Sequence, residues 1–284
     1  MLKKILLSCL ILVSNSTFSK SLALSFDDGL DLVTHPQAQH INDAILNTLK
    51  QNKVHAIIYP SLSKIGANDG LGMIKQWGEQ GHRIGNHGNL HLNLNKDEVN
   101  LSTYLADMQQ GHQAFSTLEG FVPRYRFPFL KEGNTLEKRD GVRQWIKDHH
   151  YQSGAVSIDA SDWFYNQLFL KYQQENDQQS LVKLKQAYIF HLLDRAKYYD
   201  DLAQQTLGRS PKHVLLLHVR AINAAWLQDI IDAFHHQGWI FIDSDTAYQD
   251  PMYNIEPQLL PAGESIVWTI AKIYGIPNLR YPAE

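Results

Sequence analysis

Polar residues with chemical potential recur along this 284-residue chain directly after or at the end of short apolar runs. The run at 22–26 leads into Asp27-Asp28-Gly29, and a short one at 83–85 leads into His87-Gly88-Asn89-Leu90-His91. The run at 123–127 ends in Arg126-Phe127-Pro128-Phe129, that at 155–158 precedes Asp159-Ala160-Ser161-Asp162-Trp163, and that at 214–217 precedes His218. Each has a plain explanation when taken alone. Asp-Asp-Gly is a common solvated turn, a chain with 14 histidines contains chance pairs, Arg126 could be a surface cation, Asp162-Trp163 could cap a helix, and His218 could be a core histidine with its hydrogen bonds met. Chance does not account for all of them falling at successive strand ends. In α/β folds the reactive groups gather beyond the carboxyl ends of the strands.

His87 and His91, four residues apart, share one face of a helical turn and could bind a single metal ion. Two imidazoles and one carboxylate from the Asp27-Asp28 pair would leave coordination positions open, which is the catalytic rather than the structural arrangement. Such an ion polarises a carbonyl and lowers the pKa of a water molecule. Hydrolysis also needs a base for the water proton and an acid for the leaving group, and Asp27 and His218 are the candidates.

Positioning these residues requires alternating strands and helices. Strands are expected at 22–26, 54–59, 83–85, 123–127, 155–158, 214–217 and 239–242. The helix expected at 36–52 opens with Pro36 and carries Ile41, Ile45 and Leu49 at four-residue spacing. Further helices are expected at 69–80, 96–118 (with Asp97 and Glu98 in its first turns), 135–150, 180–206 and 223–237, with polar residues 173–179 as a turn between two helices. No Pro/Gly/Ser-rich linker interrupts the alternation, so a single α/β domain is expected.

Composition agrees with an ordinary globular protein, 44% hydrophobic and 19% charged. The formal net charge of -3 provides no positive field for phosphates, which excludes nucleic acid as the main partner. Lys3 and Lys4, the apolar run 5–13 and the small residues Ser14, Ser16, Thr17 and Ser19 read as a secretory signal. Residues 1–20 are therefore assigned to a signal peptide, with cleavage leaving an N-terminus between about residues 17 and 22, and 21–284 to the mature domain. The single cysteine, Cys9, falls in the signal, so the mature chain would lack cysteine, in keeping with export to the periplasm or medium. Beyond the signal no apolar run is long enough to span a bilayer.

Taken in order, the five segments resemble the motifs of the NodB-homology polysaccharide deacetylases, carbohydrate esterase family 4, over about residues 22–245. Ser25-Phe26-Asp27-Asp28-Gly29 is similar to the first motif, with Ser25 where Thr is usual. The segments His87–His91, Arg126–Phe129, Asp159–Trp163 and Leu216–His218 are similar to the second through fifth. The resemblance implies a distorted (β/α) barrel in which Asp28, His87 and His91 bind one divalent ion, most simply Zn²⁺. It implies Asp27 as general base tuned by Arg126, His218 as general acid held by Asp159, and the Phe129 N–H as a donor to the oxyanion. Trp163 and Leu216 would line the acetyl pocket. The implied activity is removal of N-acetyl groups from an amino-sugar polymer such as peptidoglycan, a chitin-type chain or an exopolysaccharide. O-deacetylation of a polymer, glycan binding by an inactive relative, and hydrolysis of small cyclic amides are the alternatives. Gly88 departs from the Ser or Thr common after the first histidine, and this loses a possible hydroxyl hydrogen bond near the metal. Arg220 suits either an acidic substrate group or a salt bridge, and Tyr188, Tyr198 and Tyr199 either cover the groove or pack their helix on the barrel.

Overall fold

The computed structural model describes residues 20–66 and 68–281. The expected signal thus lies outside the described residues except for Lys20, which opens the first strand. The strands are β1 Lys20–Asp28, β2 Ile57–Pro60, β3 Arg83–Asn86, β4 Phe121–Tyr125, β5 Lys131–Gly133, β6 Gln152–Ser153, β7 Lys212–His218, β8 Trp239–Phe241 and β9 Ala262–Gly263. The helices are α1 Ala38–Gln51, α2 Leu62–Ile65, α3 Asn68–Glu79, α4 Leu101–Phe115, α5 Leu136–Asp148, α6 Asp162–Gln174, α7 Gln178–Leu207, α8 Ala221–His236, α9 Ser244–Tyr248 and α10 Ile266–Ile273.

The main sheet is parallel, in the order β6-β4-β3-β2-β1-β7, with β8 pairing the first residues of β1. From Leu22 onward β1 is wholly buried, because helices cover the outer face of the parallel sheet and side chains from other strands fill its inner face, leaving no solvated side for polar alternation. The two outer edges of the sheet are joined by residues 152–158. Gln152 and Ser153 pair with β4, Gly154 N donates to Tyr125 O (2.6 Å), Ile158 N donates to Val214 O (3.1 Å), and Ile158 bridges Leu215 of β7. The sheet is thereby closed into a distorted (β/α) barrel in a single domain, as expected.

Residues 155–158 form an irregular connection instead of the expected strand. Val214 N donates to the Ser157 hydroxyl (2.8 Å), so a side chain stands in for a ladder carbonyl, and Ile266 N takes the Val156 carbonyl away to the C-terminal segment. The helix expected from residue 96 starts at Leu101, where the Asn100 side chain caps it by accepting from Thr103 N (2.9 Å). Asp97 therefore lies ahead of the helix and accepts from Asn134 instead of facing the macrodipole. The long α7 packs Tyr188 and Tyr199 into the core, with the Tyr188 hydroxyl donating to Asn223 (2.6 Å), so these tyrosines hold the helix on the barrel. The antiparallel β5–β9 pair and α10, which follow the last expected strand or sit inside a loop, were not legible as elements.

Trp77 on α3 is fully buried, lies 5.4 Å from the Phe26 ring and donates its indole N–H to Asn42 (2.8 Å). Trp77→Ala is expected to cost about 3–5 kcal/mol in urea unfolding, and a loss below about 1 kcal/mol would show that α3 is not anchored through this ring.

Candidate active site

The site is built at the end of β1. A regular strand would send Asp27 and Asp28 to opposite faces. Asp28 instead has a left-handed φ of 77°, and both carboxylates come to line one cleft. Parallel register sets Asp27 beside His218 of β7 and beside Tyr59 of β2, so three strand ends meet at this point.

The histidines sit on an irregular loop after β3, and no helical turn brings them together as their spacing suggested. Gly88 and His91 both have left-handed φ values, 79° and 56°, which fold the loop back toward β1. A Cβ on Gly88 would run into the Asp107 carboxylate, which accepts from the backbone N–H groups of Asn89 (3.0 Å) and Leu90 (2.6 Å). Glycine at this position thus makes room for a buried carboxylate from α4 that holds the loop by its backbone. The Asn86 side chain accepts from Gly88 N (2.9 Å) and adds a second support.

His87 donates Nδ1–H to the Arg126 carbonyl (2.7 Å), which fixes the tautomer and leaves the Nε2 lone pair for a ligand. Burial and the neighbouring His91 hold the His87 pKa well below the ordinary histidine value, so the ring is neutral, as a metal ligand must be. Asp28 Oδ1 lies 3.2 Å from His91 Nε2 and 3.9 Å from His87 Nε2. This buried oxygen accepts no hydrogen bond, and one donor atom from each of Asp28, His87 and His91 falls within 4.8 Å of the others. A buried carboxylate oxygen left without a donor among facing imidazole nitrogens fits a divalent ion. Burial would raise the Asp28 pKa, but His91, His218 and His87 outweigh it and hold the carboxyl well below its usual range.

Asp27 is tied by Oδ1 to Arg126 Nη1 (2.8 Å), and its Oδ2 lies 3.7 Å from His87 Nε2. Arg126 is fully buried. Its Nε donates to the Gly154 carbonyl, its Nη2 donates to Ser25 Oγ (3.1 Å) and Tyr248 OH (3.4 Å), and its guanidinium lies 4.3 Å from the centre of the Tyr59 ring. Burial pushes the Asp27 carboxyl up to about 6, with Arg126 and His218 opposing that rise. Ser25 was readable as a partner because it shares a strand face with Asp27, whereas Gly154 and Tyr248 reach Arg126 only through the tertiary fold.

His218 is held by Asp162, which corrects the expected Asp159. Asp162 Oδ1 lies 2.6 Å from His218 Nδ1, while its Oδ2 accepts from His218 N (2.7 Å) and Asn223 Nδ2 (2.7 Å). Asp162 begins α6 and Asp159 lies three residues earlier on the connection, so only Asp162 is carried to the end of β7. Burial alone would lower the His218 pKa, but Asp162, with help from Asp28 and Asp27, raises it to about 9. Nδ1 is thereby occupied, and Nε2 is the ring nitrogen left for the cleft. Asp159 also lines the cleft, and its carboxyl is pushed up to about 6 by burial and by Glu264.

The cleft has a volume of about 550 Å³ and brings together Asp27, Asp28, His87, His91 and His218 with Phe129, Trp163 and Leu216. Phe129, at a left-handed φ of 57°, is half-exposed and packs edge-on against His91 (4.6 Å between ring centres). Trp163 is also half-exposed, and Leu216 is buried beneath the cleft floor. Lys64, Lys131, Glu264 and Tyr281 also line the walls, with Glu264 bound by Lys131 and by Tyr281 OH (2.5 Å). Sequence reading did not identify these four because nothing in their local sequence links them to the motifs. Arg220 donates from Nη2 to Asp28 Oδ2 (2.8 Å), so it forms a salt bridge inside the site.

Residues 14–152 match the family model described as "Polysaccharide deacetylase". This stretch belongs to the polysaccharide deacetylase family. The matched stretch contains the first three motifs, and Asp159–Trp163 and Leu216–His218 lie beyond it. A peptidoglycan-N-acetylglucosamine deacetylase of Bacillus cereus is 32% identical over 142 residues, 50% of this chain and 46% of that protein. This chain therefore spans less than half the length of that relative. Among solved structures, the Bc1960 peptidoglycan N-acetylglucosamine deacetylase superposes with a TM-score of 0.57 at 21% identity, covering 82% of this chain and 92% of that one. A family 4 carbohydrate esterase pseudoenzyme from Bacillus anthracis gives 0.57 at 13% identity, over 81% and 66%. These two likenesses establish the shared barrel fold.

His87→Ala and His91→Ala are each expected to abolish retention of a divalent ion while leaving the thermal melt of the metal-free protein within a few degrees of wild type, because both rings stand at the rim of the barrel. Full occupancy of both variants by elemental analysis would remove these residues from the ligand set.

Proposed function

We propose that this chain is an exported, metal-dependent deacetylase that hydrolyses N-acetyl groups of an amino-sugar polymer and releases acetate. The observation carrying this reading is the convergence in one cleft of Asp28 Oδ1, which accepts no hydrogen bond, with His87 and His91, beside an arginine-bound Asp27 and an aspartate-bound His218. The name of the Bacillus cereus relative supports peptidoglycan as the first polymer to test, ahead of chitin-type chains and other exopolysaccharides. Residues 1–20 are the export signal in this reading, and 21–284 the catalytic domain.

Asp28, His87 and His91 would hold the ion, and a set of two imidazoles and one carboxylate favours zinc. When bound, the ion supplies Lewis acidity that polarises the acetyl carbonyl and acidifies a water molecule, and its charge joins Arg126 in favouring ionised Asp27. Asp27 takes the proton from the attacking water. Its other oxygen is pinned by Arg126, so the carboxylate cannot rotate away from the reacting atoms. The Phe129 N–H is assigned to the developing oxyanion, and Trp163 and Leu216 enclose the acetyl methyl. His218, charged at neutral pH through Asp162, gives its Nε2 proton to the sugar nitrogen as the C–N bond breaks, so that a neutral amine departs and acetate remains. Asp159 is assigned to the cleft wall, where its carboxyl can accept from substrate hydroxyls. The test is acetate release from peptidoglycan, chitin oligomers and acetylated xylan, with and without chelator. Glycan binding without acetate release from any of them would identify an inactive binding relative, and release from xylan alone would identify an esterase.

Activity against pH should be bell-shaped. The base must be deprotonated, so the acid limb lies at or below about 6, and the acid must be protonated, so the alkaline limb falls as His218 titrates near 9. Removing the Asp162 charge lowers the His218 pKa, so Asp162→Asn is expected to move the alkaline limb to lower pH. An unmoved limb in the kcat/KM profile would dismiss His218 as the group titrating there.

Asp27→Asn is expected to keep the metal and lose roughly 10²- to 10⁴-fold in turnover. His218→Ala should impair amide cleavage more than cleavage of an activated acetyl ester, whose leaving group needs little protonation. Equal losses on the two substrates would show that His218 is not the acid.

A further inference from the structure

The two carboxylates at the end of β1 are each gripped on one oxygen by a different arginine. Arg126 holds Asp27 by Oδ1, and Arg220 holds Asp28 by Oδ2 at 2.8 Å. The oxygens left over, Asp27 Oδ2 and Asp28 Oδ1, are the ones that face the histidine nitrogens. Arg126 belongs to the third family motif, whereas Arg220 lies outside all five. From this geometry we infer that Arg220 is a positioning residue for the metal, holding Asp28 as a ligand through a single oxygen. The inference rests on Asp28, His87 and His91 being the ligand set.

The backbone places Arg220 for this role. Asp27 O accepts from Val219 N (3.2 Å), which fastens the chain beyond β7 to the end of β1 one residue before Arg220. Arg220 itself is extended (φ -136°, ψ 158°) and its carbonyl accepts from Ala224 N as α8 begins (3.0 Å). Its position is therefore set by both the strand end and the helix start. Its side chain is 26% exposed and that of Asp28 only 3%, so the contact is made at the floor of the cleft, away from the open face. Arg220 Nε is buried without a hydrogen-bond partner, a cost that is accepted while Nη2 stays on Asp28.

This grip has two effects on a ligand carboxylate. With Oδ2 engaged, Asp28 cannot swing to chelate an ion through both oxygens, and the open positions that hydrolysis needs are preserved. The guanidinium also keeps Oδ1 aimed at the imidazoles before the ion arrives, so no ordering has to be paid for on binding. Partners of ligand side chains typically carry 10- to 100-fold in metal affinity.

The experiment measures Zn²⁺ affinity by competition with a chromophoric chelator, together with the visible absorption of the Co²⁺-substituted protein, for wild type, Arg220→Gln, Arg220→Lys and His87→Ala. Melting of the metal-free proteins serves as the folding control. Arg220→Gln is expected to bind Zn²⁺ 10- to 100-fold more weakly and to show a weaker Co²⁺ band, as a second carboxylate oxygen raises the coordination number. Arg220→Lys, which keeps the charge and a donor, should recover part of both. A Zn²⁺ affinity and Co²⁺ spectrum of Arg220→Gln equal to wild type would overturn the inference while leaving the metal site intact. A wild type that binds no ion, or binds it equally in His87→Ala, would overturn the metal reading itself and this inference with it.

Discussion

Burying two neighbouring carboxylates in one place is the constraint on which the rest of the site depends. Like charges side by side in a poorly hydrated pocket repel, and each also loses its solvation. Asp27 and Asp28 are both almost fully buried, so positive charge has to be brought to them through the fold. Arg126 arrives from the end of β4, Arg220 from the end of β7, and His218 is kept charged by Asp162. Three carboxylates are thus set against two guanidiniums and one imidazolium, before any metal is added. The unequal environments of the two aspartates follow from this arrangement. The carboxyl of Asp27 is pushed up to about 6, while that of Asp28 is held well below its usual range by three histidines. The two carboxylates therefore ionise in different ranges, Asp27 close to neutral pH and Asp28 far below it.

The scaffold supplies the geometry through backbone features more than through side-chain packing. The parallel register sets Asp27 against His218, and the left-handed turn at Asp28 brings the adjacent carboxylate to the same side. Asp107 grips the histidine loop by two backbone N–H groups, and the Gly154 carbonyl, on the segment that closes the barrel, accepts from Arg126. The closing segment thus connects barrel architecture with the orientation of Asp27. A change in how residues 152–158 lie would be transmitted to Asp27 through a single arginine.

The sequence made the chemistry of the site more legible than its supports. Asp27, Asp28, His87, His91, Arg126 and His218 stood at strand ends in order, and strand alternation alone placed them on one rim. The partner of His218 was misread because Asp159 and Asp162 are three residues apart on the same connection, and only the start of α6 decides which reaches β7. The His87–His91 spacing suggested a helical turn, yet two left-handed residues bring the rings together without one. The expected strand at 155–158 failed for a related reason, since the Ser157 hydroxyl took over a backbone ladder bond that propensity cannot foresee. Tyr248, Glu264 and Tyr281 reach the site from more than 20 residues beyond His218, and contacts of that kind leave no local signature.

The position of β1 in the sheet has a consequence for assembly. It is the first described strand in the chain, but it pairs with β2 on one side, with β7 on the other, and with β8 at its beginning. The Ser25 hydroxyl, two residues before Asp27, donates to a carbonyl 190 residues later. Closing loops of that length must be completed before the rewarding contacts form, which slows the search for the native state. Asp27 and Asp28 are therefore buried only once strands far apart in the chain have come together. The cleft is completed only when β7 and β8 close on β1.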